Sequence, residues 1–241
     1  FGGRSSEHGI SCATAAGVLS AIDRDQFEVV PIGITSTGAW TLQPDDPALF
    51  SLRADLPQVV DNGTRVRLPE EAGSREFTLV DADGSVSSLG NIDVVFPILH
   101  GRFGEDGTVQ GELELVELPY VGNGVLASAL AMDKHMAKTV LASAGIAVAP
   151  WVMLTPSRWE RDRAALEAQI HELGLPVFVK PSRAGSSVGV TKVRDWSELE
   201  TAVQIGFDED STVLVEAAIV GREVECAVLE GRGASAPRAS V

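Results

Sequence analysis

The run IDVVFPIL over Ile92–Leu99 is the feature that most constrains the fold of this chain, because it is short and nearly all apolar. Such runs are typical of strands in parallel sheets, where helices cover both faces. A glycine-rich loop, His100–Gly107, follows, and a helix is predicted over 108–117. Nearer the N-terminus, a helix is predicted over Ser11–Ile22, with Ser11 as its cap, and a strand over Phe27–Ile34. This alternation predicts an α/β fold.

The alternation continues from residue 132, where we place the start of a second unit, 132–241. The first unit is doubly wound and covers 1–131, and its proline-rich stretch 42–88 is interpreted as a surface elaboration with a hairpin at Asp83–Gly84. Helices of the second unit are predicted over 134–144, which Gly145 ends, and over 158–173 and 196–205. Strands of the second unit are predicted over 151–154, 177–180, 188–193, 213–216 and 223–229.

Charge and composition exclude several classes of function. Among 241 residues, 34 are acidic and 19 are Lys or Arg, which gives a formal net charge of −15. A chain this acidic is a poor match for nucleic acid or for an anionic membrane surface, because both attract positive charge. No apolar run reaches the roughly 18 residues needed to span a bilayer. The two cysteines and four histidines show no disulfide or metal-ligand spacing, so a reducing compartment is expected.

The first motif, FGGRSSEH over Phe1–His8, occupies a predicted strand-to-helix turn. In open α/β sheets, ligands bind beyond the carboxyl ends of the strands, and glycines there let the backbone approach a ligand. Glu7 could hold a ligand ammonium group, although a solvated glutamate that favours the next helix N-terminus is the simpler interpretation. A dinucleotide site is disfavoured because GxGxxG is absent.

The second motif is the loop His100–Gly107, HGRFGEDG, which follows the apolar run at the same edge of the predicted sheet. Its His, Arg, Glu and Asp side chains are suited to binding a polar ligand. A glycine-rich loop with solvated charges explains the same composition equally well. Residue type alone therefore leaves its function open.

The third motif, KPSRAGSSVG over Lys180–Gly189, places a lysine at the end of an apolar strand and before a loop of small residues. Backbone N–H groups and hydroxyls of such a loop can bind phosphate, and the lysine adds positive charge. Only four lysines occur, at 134, 138, 180 and 192, so arginine supplies most of the positive charge. A lysine at a strand end is therefore informative, whereas Lys138 and Lys192 are expected to be solvated.

The fourth motif consists of two glutamates at neighbouring strand ends. Glu216 ends VLVE, and Glu223 follows the Gly221 turn. Carboxylates accept hydrogen bonds from an adenine amino group or from ribose hydroxyls. Two solvated glutamates on a hairpin are the alternative interpretation, and the better one for each residue taken alone.

Together and in this order, the four motifs resemble the D-alanine–D-alanine ligase family of the ATP-grasp superfamily. The resembling segments are 1–11, 94–138, 174–193 and 213–229, and HGRFGEDG…MDK and KPSRAGSSVGV are the most specific. The resemblance implies a Rossmann-like N-terminal domain over 1–131. It implies an incomplete ATP-grasp nucleotide-binding lobe over 132–241, with the C-terminal lobe missing.

The resemblance also implies an activity, which is the ATP-dependent ligation of two D-alanines through an acylphosphate, for peptidoglycan precursors in the cytoplasm. It implies that Glu7 binds the ammonium of the first D-alanine, that Ser186 hydrogen-bonds Glu7, and that His100 lies near that substrate. The implied ATP contacts are Lys134, Lys180 and Ser187 around the phosphates, Glu216, Ala217 and Ile219 around the adenine, and Glu223 at the ribose.

Two expectations concern what the chain lacks. It opens at Phe1 rather than Met and closes on the low-complexity stretch 231–241, where no helix or strand is expected, so we interpret it as an internal piece of a longer protein. The family's ligands for Mg²⁺ or Mn²⁺ are expected beyond Val241. We therefore expect the chain to be inactive alone.

Several alternatives stay open. A D-alanine–D-lactate or D-alanine–D-serine ligase has the same motifs in this part of the chain. A nucleotide-binding module without catalysis is disfavoured, and so is a nucleotide-dependent oxidoreductase. D-alanine and ATP are the implied partners, and a homodimer is the assembly that the family commonly forms.

Overall fold

The computed structural model describes residues 1–231 and 233–240 and has a mixed α/β architecture, as predicted. The first part contains helices α1 (His8–Ala21), α2 (Thr108–Leu115) and α3 (Val125–Met132), and strands β1 (Ile32–Ile34), β2 (Trp40–Leu42), β3 (Arg65–Arg67), β4 (Glu76–Val80) and β5 (Val86–Asn91). A single 3₁₀ turn covers Pro47–Leu49 among the described residues of this part.

The second part begins with helix α4 (Lys134–Ser143). Its further helices are α5 (Pro156–Arg161), α6 (Arg163–Glu172) and α7 (Leu199–Glu209), which a 3₁₀ turn over Trp196–Glu198 precedes. Its strands are β6 (Trp151–Leu154), β7 (Val177–Pro181), β8 (Thr191–Val193), β9 (Val213–Ala217), β10 (Val228–Leu229) and β11 (Arg238–Ala239). None of the helices in the described part of the chain is long and apolar enough to cross a membrane.

Helix α1 begins at His8, three residues earlier than predicted, and Glu7 occupies the position before it. The prediction that Ser11 caps this helix is wrong. Ser11 is fully buried inside α1, where its hydroxyl accepts a hydrogen bond from the Gly2 amide at 2.7 Å and donates to the Ile98 carbonyl. The hydroxyl therefore joins the glycine turn to the segment that precedes the second motif.

The parallel sheet expected in the first part is reduced to single bridges, Gly2–Ile34 and Val95–Tyr120. Residues 92–99 form no regular strand, and only the last three residues of the predicted strand 27–34 do so. The expectation that 92–99 is buried on both faces is also wrong, because Val94 and Phe96 are 44% and 51% exposed. Val95 alone of this segment forms a bridge, and Pro97 has no N–H to donate to a ladder.

The stretch 42–88, expected as a surface elaboration, supplies part of the core. It contains β3 and β4, which form an antiparallel sheet in the order β3-β4-β5, and the hairpin predicted at Asp83–Gly84 joins β4 to β5. Phe77 of this sheet is 1% exposed. The cluster that the sheet forms with α2 consists of Val66, Phe77, Leu79, Val109, Leu113 and Leu118.

The second part is organised by an antiparallel sheet in the order β6-β9-β7-β8. Alternate side chains along its strands, among them Val179 and Val215, pack with α6 and α7 in a buried apolar core. The intervening side chains lie on the opposite face because strand side chains alternate. Trp151, Phe178 and Glu216 are neighbours there, since both Trp151 and Phe178 pair in register with Glu216.

Several boundaries in the second part differ from prediction. The helix predicted over 158–173 is divided at Asp162 into α5 and α6, and the helix predicted over 196–205 starts with a 3₁₀ turn and ends at Glu209. Strands β8 and β10 are shorter than predicted. The terminal stretch, expected to lack a strand, contains β11, which pairs with β10. The end of α4 before Gly145 is confirmed, with φ of +78° at this glycine.

Candidate functional site

The first and third motifs meet in the folded chain. The Ser186 hydroxyl donates a hydrogen bond to Glu7 Oε1, which joins residues 179 positions apart in sequence. Glu7 lies at the start of α1 and is 7% exposed. A buried carboxylate without a countercharge is costly, so a cationic ligand group would be favourable beside it. This contact joins the two parts of the chain.

Two glycines surround the second oxygen of Glu7. A Cβ at Gly101 would collide with Glu7 Oε2, and a Cβ at Gly185 would lie 2.6 Å from the same atom. Gly101 also has φ of +72°, a conformation that residues with a side chain rarely adopt. The second motif and the third motif can therefore both approach the carboxylate because each has a glycine at the point of contact.

The loop of the third motif has an unusual backbone. Ser186 and Ser187 have φ of 46° and 58°, in the left-handed region, where a residue other than glycine costs on the order of 1 kcal/mol. Such conformations persist where the surrounding structure holds them, and they cluster at ligand sites. Ser187 is exposed at the tip of the loop.

Contacts with α4 and with Asp210 hold this loop. Lys134 Nζ donates to the carbonyls of Ala184 at 2.6 Å and Ser182 at 3.4 Å. The buried Ser182 hydroxyl donates to Asp133 Oδ1 at 2.6 Å. On the other side, the Arg183 amide and guanidinium both donate to the carboxylate of Asp210, which is 7% exposed. Residues 182–184 of the loop are therefore held by Asp133 and Lys134 on one side and by Asp210 on the other.

Lys134 is half-buried, and its burial, together with the positive charge of Lys180, lowers the pKa of its ammonium group. An ammonium group in this position would gain from a nearby anion. The two lysines predicted to contact phosphates are therefore close enough to repel each other. An anionic ligand between them would relieve that repulsion.

Glu216 is held by two lysines. Lys138 Nζ lies 2.8 Å from Oε1, and Lys180 Nζ lies 2.9 Å from Oε2. Burial opposes ionisation of Glu216, but hydrogen bonds from both lysines outweigh it and hold the pKa of this carboxyl below its usual value. The expectation that Lys138 is solvated is wrong, because its side chain is 13% exposed. Lys192 lies with its ammonium 5.3 Å from the Phe178 ring centroid.

His100 is bonded to the turn that carries Glu7, but its ring contacts Thr14. Its Nε2 lies 3.1 Å from the Thr14 hydroxyl, and its carbonyl accepts a hydrogen bond from the Ser5 hydroxyl at 2.6 Å. The backbone of His100 is thus tied to the turn that carries Glu7. A cavity of about 170 Å³ lies beside it, with Arg4 and Phe103 among its lining residues.

The remaining predicted residues follow Glu216 along the chain. The Ala217 amide donates to the Pro150 carbonyl at 3.0 Å, so this N–H is already used within the fold. Ile219 is 73% exposed. Glu223 is exposed and lies in a segment without regular secondary structure.

Sequence reasoning missed three features of this site, and their signals differ in strength. Lys138 follows Lys134 by four residues, which places both on one face of α4, and that spacing could have revealed it. Gly101 and Gly185 were recognised as loop glycines but not as neighbours of one carboxylate. The ion pair of Arg183 with Asp210 has no local signal, because it joins distant positions.

The chemistry of the site is therefore divided between two ends. At one end a buried carboxylate, Glu7, is suited to a ligand ammonium group, and at the other end Lys134 and Lys180 are suited to phosphate. Over residues 1–231 and 233–240, no group of three or more His, Cys, Asp or Glu side chains is arranged to hold a metal ion.

The fold and the site together define a class of protein. An α/β part is joined, through the hydrogen bond from Ser186 to Glu7, to an antiparallel sheet that carries lysines and a Gly–Ser loop, which is the ATP-grasp arrangement that the sequence predicts. Models of the D-ala D-ala ligase N-terminus and C-terminus match residues 1–123 and 140–240. The chain belongs to the D-alanine–D-alanine ligase family.

Relatives support this assignment. The D-alanine–D-alanine ligases of Paenarthrobacter aurescens and Kineococcus radiotolerans are 50% and 52% identical over the whole of this chain, which spans 64% and 65% of their lengths. The VanG D-Ala:D-Ser ligase of Enterococcus faecalis has a TM-score of 0.79 at 35% identity, and the match covers 99% of this chain and 66% of the VanG chain. The D-alanine–D-alanine ligase of Coxiella burnetii has a TM-score of 0.78 at 36% identity, covering 99% and 67%.

Proposed function

We propose that the protein joins two D-alanines at the expense of ATP, as the names of its relatives suggest. The chain spans about 64% of the length of these relatives, so the activity is proposed for the whole protein. The observation that supports it most is the hydrogen bond from Ser186 to Glu7, which brings an ammonium-binding carboxylate to the loop that Lys134 anchors.

The chemistry follows from the weakness of carboxylates as acyl donors. Transfer of the ATP γ-phosphate to the carboxylate of the first D-alanine gives an acylphosphate and ADP. The amine of the second D-alanine then attacks the acyl carbon, loses a proton, and expels phosphate. The protein must hold several anionic groups together, so positively charged groups and N–H donors contribute most to catalysis.

In this proposal each end of the site has a separate task. Glu7 binds the ammonium group of the first D-alanine, and Ser186 orients Glu7. Lys134 and Lys180 bind ATP phosphates, with the exposed backbone and hydroxyl of Ser187 beside them. Glu216 accepts a hydrogen bond from the adenine amino group.

The other assigned contacts rest on the family alone. His100 lies near the first D-alanine, Ala217 and Ile219 border the adenine through their backbones, and Glu223 binds the ribose. Mg²⁺ or Mn²⁺, a homodimer and a cytoplasmic location likewise stay predictions.

A D-alanine–D-serine ligase is the second candidate, because VanG, named as a D-Ala:D-Ser ligase, is among the solved structures that resemble this chain. A D-alanine–D-lactate ligase is a further alternative. Each differs in the second substrate only. Supplying D-alanine with D-serine or D-lactate and identifying the dipeptide or depsipeptide product would distinguish the three.

The proposed activity is tested by the full-length protein with ATP and D-alanine, through release of ADP and formation of D-alanyl-D-alanine. Glu7→Gln removes the charge that faces the ammonium, so we expect a KM for the first D-alanine raised at least about tenfold and a lower kcat. Glu28→Gln, at an exposed position, is the control. Full-length wild-type protein that forms no D-alanyl-D-alanine from ATP and D-alanine would refute the proposal.

A further inference from the structure

Glu216 has a separate lysine for each of its carboxylate oxygens. Lys138 reaches Oε1 from α4, and Lys180 reaches Oε2 from β7. The side chains of Glu216, Lys138 and Lys180 are 15%, 13% and 28% exposed, so the Lys138 contact is the better shielded of the two. Shielding from water strengthens such a contact.

Further contacts fix the position of Lys138. Its Nζ lies 5.3 Å from the centroid of the Trp151 ring, and Trp151 Nε1 donates to His135 Nδ1 at 3.0 Å. His135 and Lys138 both belong to α4, and Trp151 pairs in register with Glu216 across β6 and β9. Trp151 is therefore bonded to α4 through His135, and its ring contacts the Lys138 ammonium beside the carboxylate.

We propose that Lys138 is a positioning residue that holds one oxygen of Glu216, so that the other oxygen can exchange Lys180 for the 6-amino group of a purine. Lys180 then becomes available to the phosphates of the same nucleotide. The inference rests on the proposed function, because it assigns Glu216 to adenine and Lys180 to phosphate. It makes Lys138 a determinant of nucleotide specificity without direct contact with the base.

The exchange has a physical reason. A half-buried carboxylate that loses its last cation is strongly destabilised, so Glu216 could release Lys180 only if another cation stays with it. Lys138 is that cation. Without it, Glu216 would retain Lys180 and withdraw positive charge from the phosphates.

Selectivity for adenine follows from the same arrangement. An ionised carboxylate only accepts hydrogen bonds. It therefore attracts the 6-amino group of adenine and repels the 6-oxygen of guanine. Discrimination depends on keeping the carboxylate ionised and directed at this position, which is what the contact with Lys138 accomplishes.

The test is isothermal titration of the full-length protein with ATP and with GTP, in the absence of D-alanine. Lys138→Met should weaken ATP binding about tenfold or more, because a charge-assisted hydrogen bond is lost, and should reduce the ATP-to-GTP affinity ratio. Lys138→Arg should restore most of the ratio. Lys192→Met is the matched control, since Lys192 is also 5.3 Å from a ring centroid on this sheet but contacts Phe178, and it should leave the ratio unchanged.

A second measurement distinguishes positioning from general stabilisation. In a Glu216→Gln background, Lys138→Met should produce no further change in the ATP-to-GTP ratio, because Lys138 acts through the carboxylate. An unchanged ratio in the Lys138→Met protein, or an equal loss in both backgrounds, overturns the inference while ATP binding by the wild type still supports the proposed function. A wild type that binds neither nucleotide refutes the proposed function itself.

Discussion

At the residue scale, the site depends on a glycine, where the absence of a side chain leaves room for a carboxylate. Gly185 allows the third motif to touch Glu7, because a Cβ there would lie 2.6 Å from Glu7 Oε2. Its φ is not in the left-handed region, so alanine is compatible with its backbone. A methyl group at position 185 should therefore displace the Glu7 carboxylate more than it disturbs the fold.

We predict that Gly185→Ala raises the KM for the first D-alanine by about tenfold, since displacement of Glu7 weakens a charge-assisted contact. Steady-state kinetics of the full-length protein measure this effect, and thermal unfolding checks the fold. Gly17→Ala is the control, because a Cβ at Gly17 in α1 meets nothing within 4 Å. If both variants retain the wild-type KM, the Glu7 carboxylate does not bind the ammonium group of the first D-alanine.

The residues of the site differ in how far sequence could reveal them. The scarcity of lysine and the place of Lys180 at a strand end drew attention to this residue, and the structure pairs it with Glu216. Lys138 was interpreted as solvated, although its i, i+4 spacing from Lys134 places both lysines on one face of α4; the spacing alone does not identify Glu216 as its partner. Glu216 was recognised as a strand-end carboxylate, but its two lysines come from distant elements, and only packing brings them together.

At the element scale, the loop after β7 is held by an ion pair that joins it to the segment after α7. Burial of Asp210 opposes its ionisation, but hydrogen bonds from the side chain and amide of Arg183 outweigh this, so the pKa of the Asp210 carboxyl is lowered. A lowered folded-state pKa stabilises the fold above the unfolded pKa of about 3.9. This stabilisation is lost as the pH falls through the folded pKa.

Asp210→Asn should therefore lower the Tm at neutral pH and make the decrease of Tm between about pH 5 and pH 3 shallower than in the wild type. Thermal unfolding over this range measures both effects. Asp25→Asn, at an exposed position, should change neither. A variant whose Tm follows the wild-type pH profile in parallel would show that the Arg183 pair makes no pH-dependent contribution.

Elements with strong local signals were the most predictable. Strands β6, β7 and β9 and helix α4 lie within a residue or two of their predicted positions, because periodic burial and a terminal glycine define them locally. The prediction of a buried strand over 92–99 was wrong because an apolar run indicates burial but does not indicate what covers each face. Its side chains Val94 and Phe96 are exposed, and only Val95 forms a bridge.

At the scale of the whole molecule, the two parts of the chain meet where Ser186 bonds to Glu7. Neither residue carries a sequence signal for the other, and the order of four motifs, rather than any one pattern, predicted their convergence. The contact combines a buried carboxylate with a loop in a strained conformation. It should therefore couple the stability of the loop to that of the start of α1.

A double-mutant cycle measures this coupling. Glu7→Gln, Ser186→Ala and the double variant should show an interaction free energy of about 1–3 kcal/mol in denaturant unfolding, because the hydrogen bond has a charged acceptor. The Glu7→Gln and Ser187→Ala cycle is the matched control, since the Ser187 hydroxyl lies one residue beyond the one that bonds to Glu7. Its interaction free energy should be near zero.

The two cycles separate a specific bond from a general effect of the loop. Equal coupling in both would mean that any change in the loop disturbs Glu7 through the backbone, and zero coupling in both would mean that the parts do not communicate through this contact. Coupling confined to Ser186 would identify its hydroxyl as the link. A substrate ammonium bound to Glu7 would then reinforce the same link, because a ligand that binds only the folded state stabilises it.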